Sequence, residues 1–296
     1  MTLQQLKYFI EVVNCGSFNK AAARLFISQP SLSNAIKDLE NDVGLELLTR
    51  TPKGIALTPD GVEFLGYARQ VMEQALLMEQ RYKHAKPSRR FCAISTQHYA
   101  FAVNAFVNLV KKCDADEYEF TLRETKTYEI IDDVKNLRSE LGILYMNSFN
   151  RKVIEKLLRE TGLVFHPLFT AKPHIFISAA NPLAQKKQVT LHDLEPYPCL
   201  SFEQGEYNSF YFSEEILSTV LSKKSIKVSD RATIFNLMIG LNGYTISTGI
   251  VSADLNGNQI VAVPLEVDES MEVGWIAHRA LQLSVPAEMY LEELKN

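Results

Sequence analysis

The first 58 residues constrain the chain most, because their apolar positions restart a helical rhythm three times in quick succession. Leu3, Leu6, Phe9, Ile10 and Val13 recur at helical spacing, Gly16 stops that helix, and Ser17 can cap a second one carrying Ala21, Ala22, Leu25 and Phe26. Ser28 is an N-cap for a third, in which Pro30 fits the first turn, Leu32, Ile36 and Leu39 form an apolar stripe, and Gly44 closes the helix. That leaves Gln29, Ser31, Ser33, Asn34 and Lys37 as its polar side. Two short strands, 46–50 and 55–58, then flank Thr51-Pro52-Lys53-Gly54, a turn with Lys53 at its tip and Arg50 just before it. Helix, helix, turn, helix, hairpin is the winged helix-turn-helix order.

In that order the third helix is the natural reader of a DNA major groove. Gln29 and Asn34 are the side chains able to make two hydrogen bonds to an adenine edge, and Ser31 and Ser33 can contact a phosphate or a base. Lys37, Arg50 and Lys53 would hold phosphates, which fixes register without reading sequence. The bland alternative is that Ser28 only caps and the rest is a solvated helix face. Charge gives modest support: the chain totals −4, yet residues 1–90 hold 12 Lys and Arg against 9 Asp and Glu. Such a small excess makes no bulk basic field, so DNA contact must depend on where a few cations and amides sit.

Thr58-Pro59 opens a further helix expected to run to about Lys86, about 42 Å at 1.5 Å per residue. Phe64, Ala68, Val71, Ala75, Met78 and Tyr82 alternate steps of four and three, the period of a coiled-coil seam. Such a seam requires a partner helix, and the competing reading is a helix packed on its own domain. Residues 86–90, Lys-Pro-Ser-Arg-Arg, read as a hinge.

Beyond residue 90 the pattern becomes α/β. Strands are expected over 91–95, 118–122, 141–145, 165–168, 174–178, 226–228, 244–247, 260–264 and 273–277, and helices over 98–111, 128–139, 212–221, 233–241 and 286–294. Ligands of such sandwiches sit outside the carboxyl ends of the strands. Ser95, Thr96, Gln97 and His98 bridge the first strand and first helix, where hydroxyls, an amide and free N–H groups suit an anionic group. Alternatively Ser95 and Thr96 merely cap that helix. Across the expected cleft stand Ser201 and Phe202, with Ser247 and Thr248 in a Gly-rich turn.

Several functions are excluded by what the sequence lacks. It has no nucleophile elbow, phosphate loop or HExxH, and Asp132-Asp133 and Glu214-Glu215 fall on expected helix surfaces, so the chain is read as no enzyme. His166, His174 and His192 lack metal-ligand spacing, and neither metal nor cofactor is expected. Apolar runs are too short to span a bilayer, and Met1 to Tyr8 does not resemble an export signal, so no membrane association and a cytoplasmic location are expected. The absent signal also argues against a solute-binding protein. Cys92 and Cys113 leave a redox-responsive or ligand-independent regulator as an alternative, although Cys92 has no basic neighbour favouring thiolate. Trp275 is expected in a core, with Arg279 facing solvent.

The chain resembles the LysR-type transcriptional regulators. Ala21-Ala22 through Leu25, Ser28-Gln29-Pro30-Ser31-Leu32-Ser33, Ile36, Leu39-Glu40, Gly44, Leu48, Arg50, Gly54, Leu57-Thr58-Pro59 and Gly61 follow the family's N-terminal signature. Leu141-Gly142-Ile143, Asn181-Pro182-Leu183-Ala184 and Gly240 to Ser247 sit where its effector domain has landmarks. Asn181 stands where histidine is usual and Asn34 where a basic residue is common, so effector chemistry and base preference do not transfer. The resemblance implies a winged helix-turn-helix over 1–58, a dimerisation helix over 59–88, and a periplasmic-binding-protein-like effector domain over 89–296. Its first lobe would be 89–163 with 266–296, and its second 164–265. It further implies a homodimer or tetramer paired through the 59–88 helix, binding to double-stranded promoter DNA, a small-molecule effector in the cleft, and room for RNA polymerase as a partner. Some relatives responding to sulfur or amino-acid metabolites carry a Thr-Gln or Gln-His-Tyr run like that at 96–99, which implies an amino-acid-like or sulfur-metabolism acid as effector.

Overall fold

The computed structural model describes residues 1–51, 54–83, 90–207, 209–220, 222–250 and 257–295, apart from the side chains of residues 50, 51, 80, 81 and 83. Contacts divide the chain into two compact units, Met1–Pro87 and Ser88–Asn296.

In the first unit, α1 (Leu3–Cys15) begins where the Thr2 hydroxyl accepts from the Gln5 amide and ends at Gly16, whose φ of 61° is left-handed. α2 (Phe18–Leu25) follows Ser17, which stands at the cap position without a side-chain bond to the helix. Phe26 departs from expectation. It is the C-cap of α2 at φ 57°, and this left-handed turn swings its ring outward to 95% exposure instead of into the core. α3 (Gln29–Val43) buries Leu32, Ile36 and Leu39 and stops at Gly44, whose amide donates to the Glu40 carbonyl at 2.8 Å. Glu40 also fixes the wing, its Oε1 accepting from the amides of Leu47 at 2.8 Å and Leu48 at 3.1 Å. The wing is β1 (Leu48–Thr51) paired antiparallel with β2 (Gly54–Leu57).

α4 (Pro59–Lys83) is started by Thr58, whose hydroxyl accepts from the Gly61 amide at 2.9 Å and donates to the Glu46 carbonyl at 2.7 Å. A Cβ at residue 61 would fall 2.0 Å from the Leu47 carbonyl oxygen, so only glycine lets this turn sit against the wing. The expected seam divides. Ala68 is buried and Phe64 packs on the same core beside Leu65 and Met72, whereas Val71, Met78 and Tyr82 are exposed, as are Leu76 and Leu77. Burial against α1 captures the first half of the stripe because α1 lies alongside it. The expected extension to Lys86 and the 86–90 hinge lie outside the described residues except for Arg90, which begins a strand.

The second unit holds two sheets. The first has order β4-β3-β5-β12-β6, built from β3 (Arg90–Thr96), β4 (Tyr118–Glu124), β5 (Leu141–Met146), β6 (Leu163–Ala171) and β12 (Met271–His278). β3 runs parallel to β4 and β5, while β12 is antiparallel to β5 and β6. α5 (Ala100–Lys112), α6 (Thr127–Lys135), α7 (Arg151–Glu160) and α10 (Val285–Glu293) accompany this sheet. The second sheet is β10 (Thr245–Ser247), β7 (His174–Ser178) and β11 (Ile260–Pro264). It is extended through the Cys199–Tyr244 bridge by β8 (Cys199–Phe202), parallel to β9 (Ser225–Val228), with α8 (Leu191–Leu194) and α9 (Arg231–Leu241) nearby.

Four differences from expectation appear here. β6 pairs along its length with β12, so by strand pairing the chain leaves the first sheet after Ala171 and returns at Met271, several residues later in the sequence than each expected lobe limit, 163/164 and 265/266. α7 was not expected; its apolar residues Ile154 and Leu158 pack on the first sheet beneath a heavily charged surface. The helix expected over 212–221 is instead a 3-10 turn at Phe210–Phe212 followed by turns and bends, with Leu217 at a left-handed φ of 63° that an α-helix does not admit; Leu221 lies outside the described residues. Trp275, expected in the core, is half-buried and stacks on His166 at 4.0 Å, while Arg279 is exposed as expected.

Candidate DNA interface and interlobe cleft

α3 presents its amino-terminal turn and one polar face to solvent. The Ser28 hydroxyl accepts from the Ser31 amide at 3.2 Å and lies 2.7 Å from the Ser31 hydroxyl. Ser28, Ser31, Asn34 and Lys37 are exposed, and Gln29 and Ser33 are half-buried. Steps of three place Ser31, Asn34 and Lys37 on one helical face, opposite the fully buried Leu32 and Leu39. The positive end of the helix dipole and the first amides lie at the Ser28 end of α3, which favours an anionic partner such as a phosphate there. Arg50 lies in β1 with its side chain outside the described atoms, and Lys53 lies outside the described residues.

In the second unit the residues expected to meet an anion are engaged with one another. Ser95, Thr96 and Gln97 are fully buried. The Ser95 hydroxyl donates to Asp133 Oδ2 at 2.6 Å and lies 2.8 Å from the Ser139 hydroxyl. Asp133, expected on a helix surface, is therefore buried beneath β3 and also paired with Arg138 at 2.6 Å. The Thr96 hydroxyl donates to the Gln97 carbonyl at 2.8 Å. Gln97 Nε2 donates to the Thr127 hydroxyl at 2.6 Å, and its Oε1 accepts from the Tyr99 hydroxyl at 2.8 Å and the Tyr145 amide at 3.1 Å. Ser95 and Thr96 lie in β3 and cap no helix, since the N-cap of α5 is Tyr99.

His98 alone of that run faces the cleft, and there it meets the second lobe. Its amide donates to Glu214 Oε2 at 2.9 Å, and its Nδ1 lies 2.9 and 3.1 Å from the two Glu214 oxygens. The imidazole stacks on Phe202 with centroids 3.9 Å apart and planes 6° apart. Glu214 and Glu215, expected on a helix surface, are both buried. Glu215 Oε1 accepts from the Phe202 amide at 2.9 Å, and burial first, then the neighbouring Glu214 charge, pushes its carboxyl up to about 8. Burial lowers the His98 pKa, but the Glu214 hydrogen bond and the charges of Glu214, Glu124 and Glu215 outweigh it, so the ring's pKa is raised overall. Arg231 Nε lies 3.1 Å from Glu124 Oε1, an ion pair that closes one edge.

Tyr99, Phe176, Phe202, Ile234, Phe235 and Ser247 line the pocket these groups enclose, and its free space is about 20 Å³, room for roughly one water. Ser201 and Thr248 do not line it; Thr248 is buried, and its hydroxyl accepts from the Ile250 amide at 3.4 Å. The sequence pattern put Glu214 and Glu215 on a helix surface and marked neither Phe176 nor Phe235, because the pocket draws on segments far apart in the chain. A larger cavity, about 360 Å³, lies at the amino-terminal end of β3, lined by Phe91, Cys92, Leu137, Leu281 and Leu283 among others. It contains none of the expected site residues. Burial, then the Glu140 charge, pushes the Cys92 thiol up to about 12, so it carries no thiolate at neutral pH.

Among the described residues no helix is long and apolar enough to cross a membrane. A family profile described as the bacterial regulatory helix-turn-helix protein of the lysR family matches residues 3–62, and the LysR substrate binding domain matches residues 114–296. The chain is 27% identical over 287 residues to YnfL, an uncharacterized HTH-type transcriptional regulator of Escherichia coli K12, covering 93% of this chain and 91% of that one. It is 31% identical over 205 residues to HcaR, the Hca operon transcriptional activator of the same organism, covering 66% and 63%. A solved OxyR mutant of Corynebacterium glutamicum matches the fold with a TM-score of 0.53 at 18% identity, over 99% of this chain and 92% of that one. These regulators are not enzymes, and with both profiles matched in order, the chain belongs to the LysR family of DNA-binding transcriptional regulators.

Proposed function

We propose that this regulator reads promoter DNA through α3 and the wing, as a homodimer or tetramer paired through α4, in the cytoplasm. The observation that carries the reading is the exposed face of Ser31, Asn34 and Lys37 on a helix whose opposite face is fully buried. Gln29 and Asn34 read base edges, Ser28, Ser31 and Ser33 support the register, and Lys37, Arg50 and Lys53 hold phosphates. The exposed apolar residues on the second half of α4, Val71, Leu76, Leu77 and Met78, support pairing with a second α4. RNA polymerase would be the next partner at a promoter. Footprinting on the regulator's own upstream DNA tests the reading: two protected half-sites about one or more helical turns apart are expected. Uniform, unsaturable protection would overturn it.

The effector reading is finer. We infer that a small acid enters the cleft beside His98, with the two lobes joined across the 171–174 and 264–271 crossovers. The lining of Tyr99, Phe176, Phe202, Ile234 and Phe235 supports a carboxylic acid with an apolar body, amino-acid-like acids included, over sulfate. A thermal-shift screen of such acids tests this, since a one-site ligand at 100-fold over its dissociation constant adds about 2.7 kcal/mol.

A further inference from the structure

The polypeptide between β8 and the buried Glu214-Glu215 pair belongs to the second lobe by sequence but spends its contacts on the first. Gln204 is buried, its Oε1 accepting from the Thr127 amide at 3.2 Å and its Nε2 donating to Glu214 Oε1 at 3.3 Å. Tyr207 stacks on Tyr128 at 3.6 Å, Tyr211 on Phe149 at 4.7 Å, and Phe212 meets Tyr128 edge-on at 5.6 Å. The Tyr145 hydroxyl donates to the Ser213 carbonyl at 3.2 Å, and Lys126 lies 3.8 Å from Glu203. Residues 203–215, Asn208 apart, thus form a strap laid over the start of α6 and the end of β5. Its buried fastening is Glu214 on His98.

That fastening is placed where it competes with a ligand. The Glu214 carboxylate takes the His98 amide and the His98 ring together, which are the donors an incoming acid would use at that end of the cleft. The pair has side chains only 5% and 4% exposed, so its hydrogen bonds are shielded from water and are stronger than a surface ion pair. With about 20 Å³ of free space beside it, the pocket has no volume for both Glu214 in this position and an organic acid.

We propose that Glu214 is a tethered stand-in for the effector's carboxylate, an autoinhibitory fastening that shuts the second lobe on the first until a small carboxylic acid takes its place on His98. The inference rests on the reading of the cleft as an acid-binding site. In the closed arrangement Glu214 holds the acid's place on His98, and ligand entry lifts the strap. Binding selects whichever arrangement the acid contacts better, so the acid's affinity is reduced by the fraction of molecules in which Glu214 is already seated.

Hydrogen-exchange mass spectrometry on the full-length protein separates the parts. In the native protein the amides of His98, of 203–207 and of 209–215 should exchange slowly. Glu214→Gln, which is isosteric and keeps the fold testable, should speed them at least tenfold, as should Glu214→Ala where it folds, with no change in α9 or β7. Titrated benzoate, an aromatic carboxylate matching the lining, should restore protection at the His98 amide of the variant at a concentration at least tenfold below that at which it perturbs the native strap. Unchanged exchange in the variants overturns the fastening alone. A loosened strap with equal benzoate midpoints in both proteins overturns competition. A loosened strap with neither protein responding to benzoate or acetate overturns the carboxylate assignment, and the acid-binding reading of the cleft falls with it.

Discussion

The two units use the same kinds of side chain in opposite ways. In the first, Ser31, Asn34 and Lys37 stand in solvent on a helix whose geometry is decided by Leu32, Ile36 and Leu39 beneath. In the second, Ser95, Thr96 and Gln97 stand under the sheet ends and bond to Asp133, Ser139, Thr127 and Tyr145. A polar residue next to a helix start is thus a ligand contact only where the fold leaves it nothing else to bond. Buried polar groups are nearly always paired, so the deeper run was bound to be spent internally.

Core truncation should give the largest effect and separate the units. Leu32 is fully buried in the first unit's core, so Leu32→Ala is expected to cost about 2–5 kcal/mol there. Calorimetry on the variant should show the first unit melting earlier while the second unit's transition stays in place. A parallel shift of both would mean that the units are energetically coupled, and the contrast drawn above would then need one core.

Next in size is the pH response of the second unit. Glu215 is raised from an ordinary 4.5 to about 8 and His98 is raised above 6.5, so both bind protons more readily folded than unfolded. Stability from both is complete below the unfolded values and is lost as pH rises, between about 4.5 and 8 for Glu215 and above 6.5 for His98. The second unit's melting temperature should therefore fall as pH rises from 5.5 to 8.5. Glu215→Gln should flatten much of that slope. A slope unaltered in this variant would place the titration elsewhere.

How much of this was legible follows from the same contrast. The first unit is built from contacts close in sequence: Ser28 caps its own helix, Gly44 ends it, and Thr58 caps α4, each by a local rule. Phe26 was misplaced because a left-handed cap reverses a side chain's direction without altering the periodic pattern. In the second unit most strands were legible, but the cleft was not. Its lining joins His98 to Glu214, 116 positions away, and Glu124 to Arg231, 107 away, and no spacing rule reaches that far. The helix expected over 212–221 failed for the same reason: the carboxylates of Glu214 and Glu215 are drawn inward by partners outside the segment.

Single polar deletions sharpen the contrast further. Ser95→Ala leaves the buried Asp133 without one of its donors and should cost about 1–3 kcal/mol of second-unit stability with no direct change in DNA affinity. Gln29→Ala or Asn34→Ala should leave stability within about 0.5 kcal/mol but cost about 1–3 kcal/mol of binding at the correct site, with relaxed choice between A·T and other pairs at one position. Fluorescence anisotropy on matched and single-base-changed duplexes reads both. Equal losses on every duplex would reassign the residue to the phosphates.

The smallest effect is expected at Lys37, and it tests the interface most directly. The side chain is exposed on the same face as Asn34, one turn further along α3, and is read as a phosphate contact. If one phosphate is neutralised, Lys37→Ala should weaken binding alike on specific and unrelated DNA and reduce the slope of log affinity against log salt by about 0.9, with stability untouched. The control is Lys20, exposed on α2, whose removal should leave the slope where it was. A slope that drops equally for both would mean that general charge attracts the DNA, and α3 would lose its special standing. A slope that drops for Lys37 alone ties the middle of α3 to the backbone, and with it fixes which bases Gln29 and Asn34 can reach.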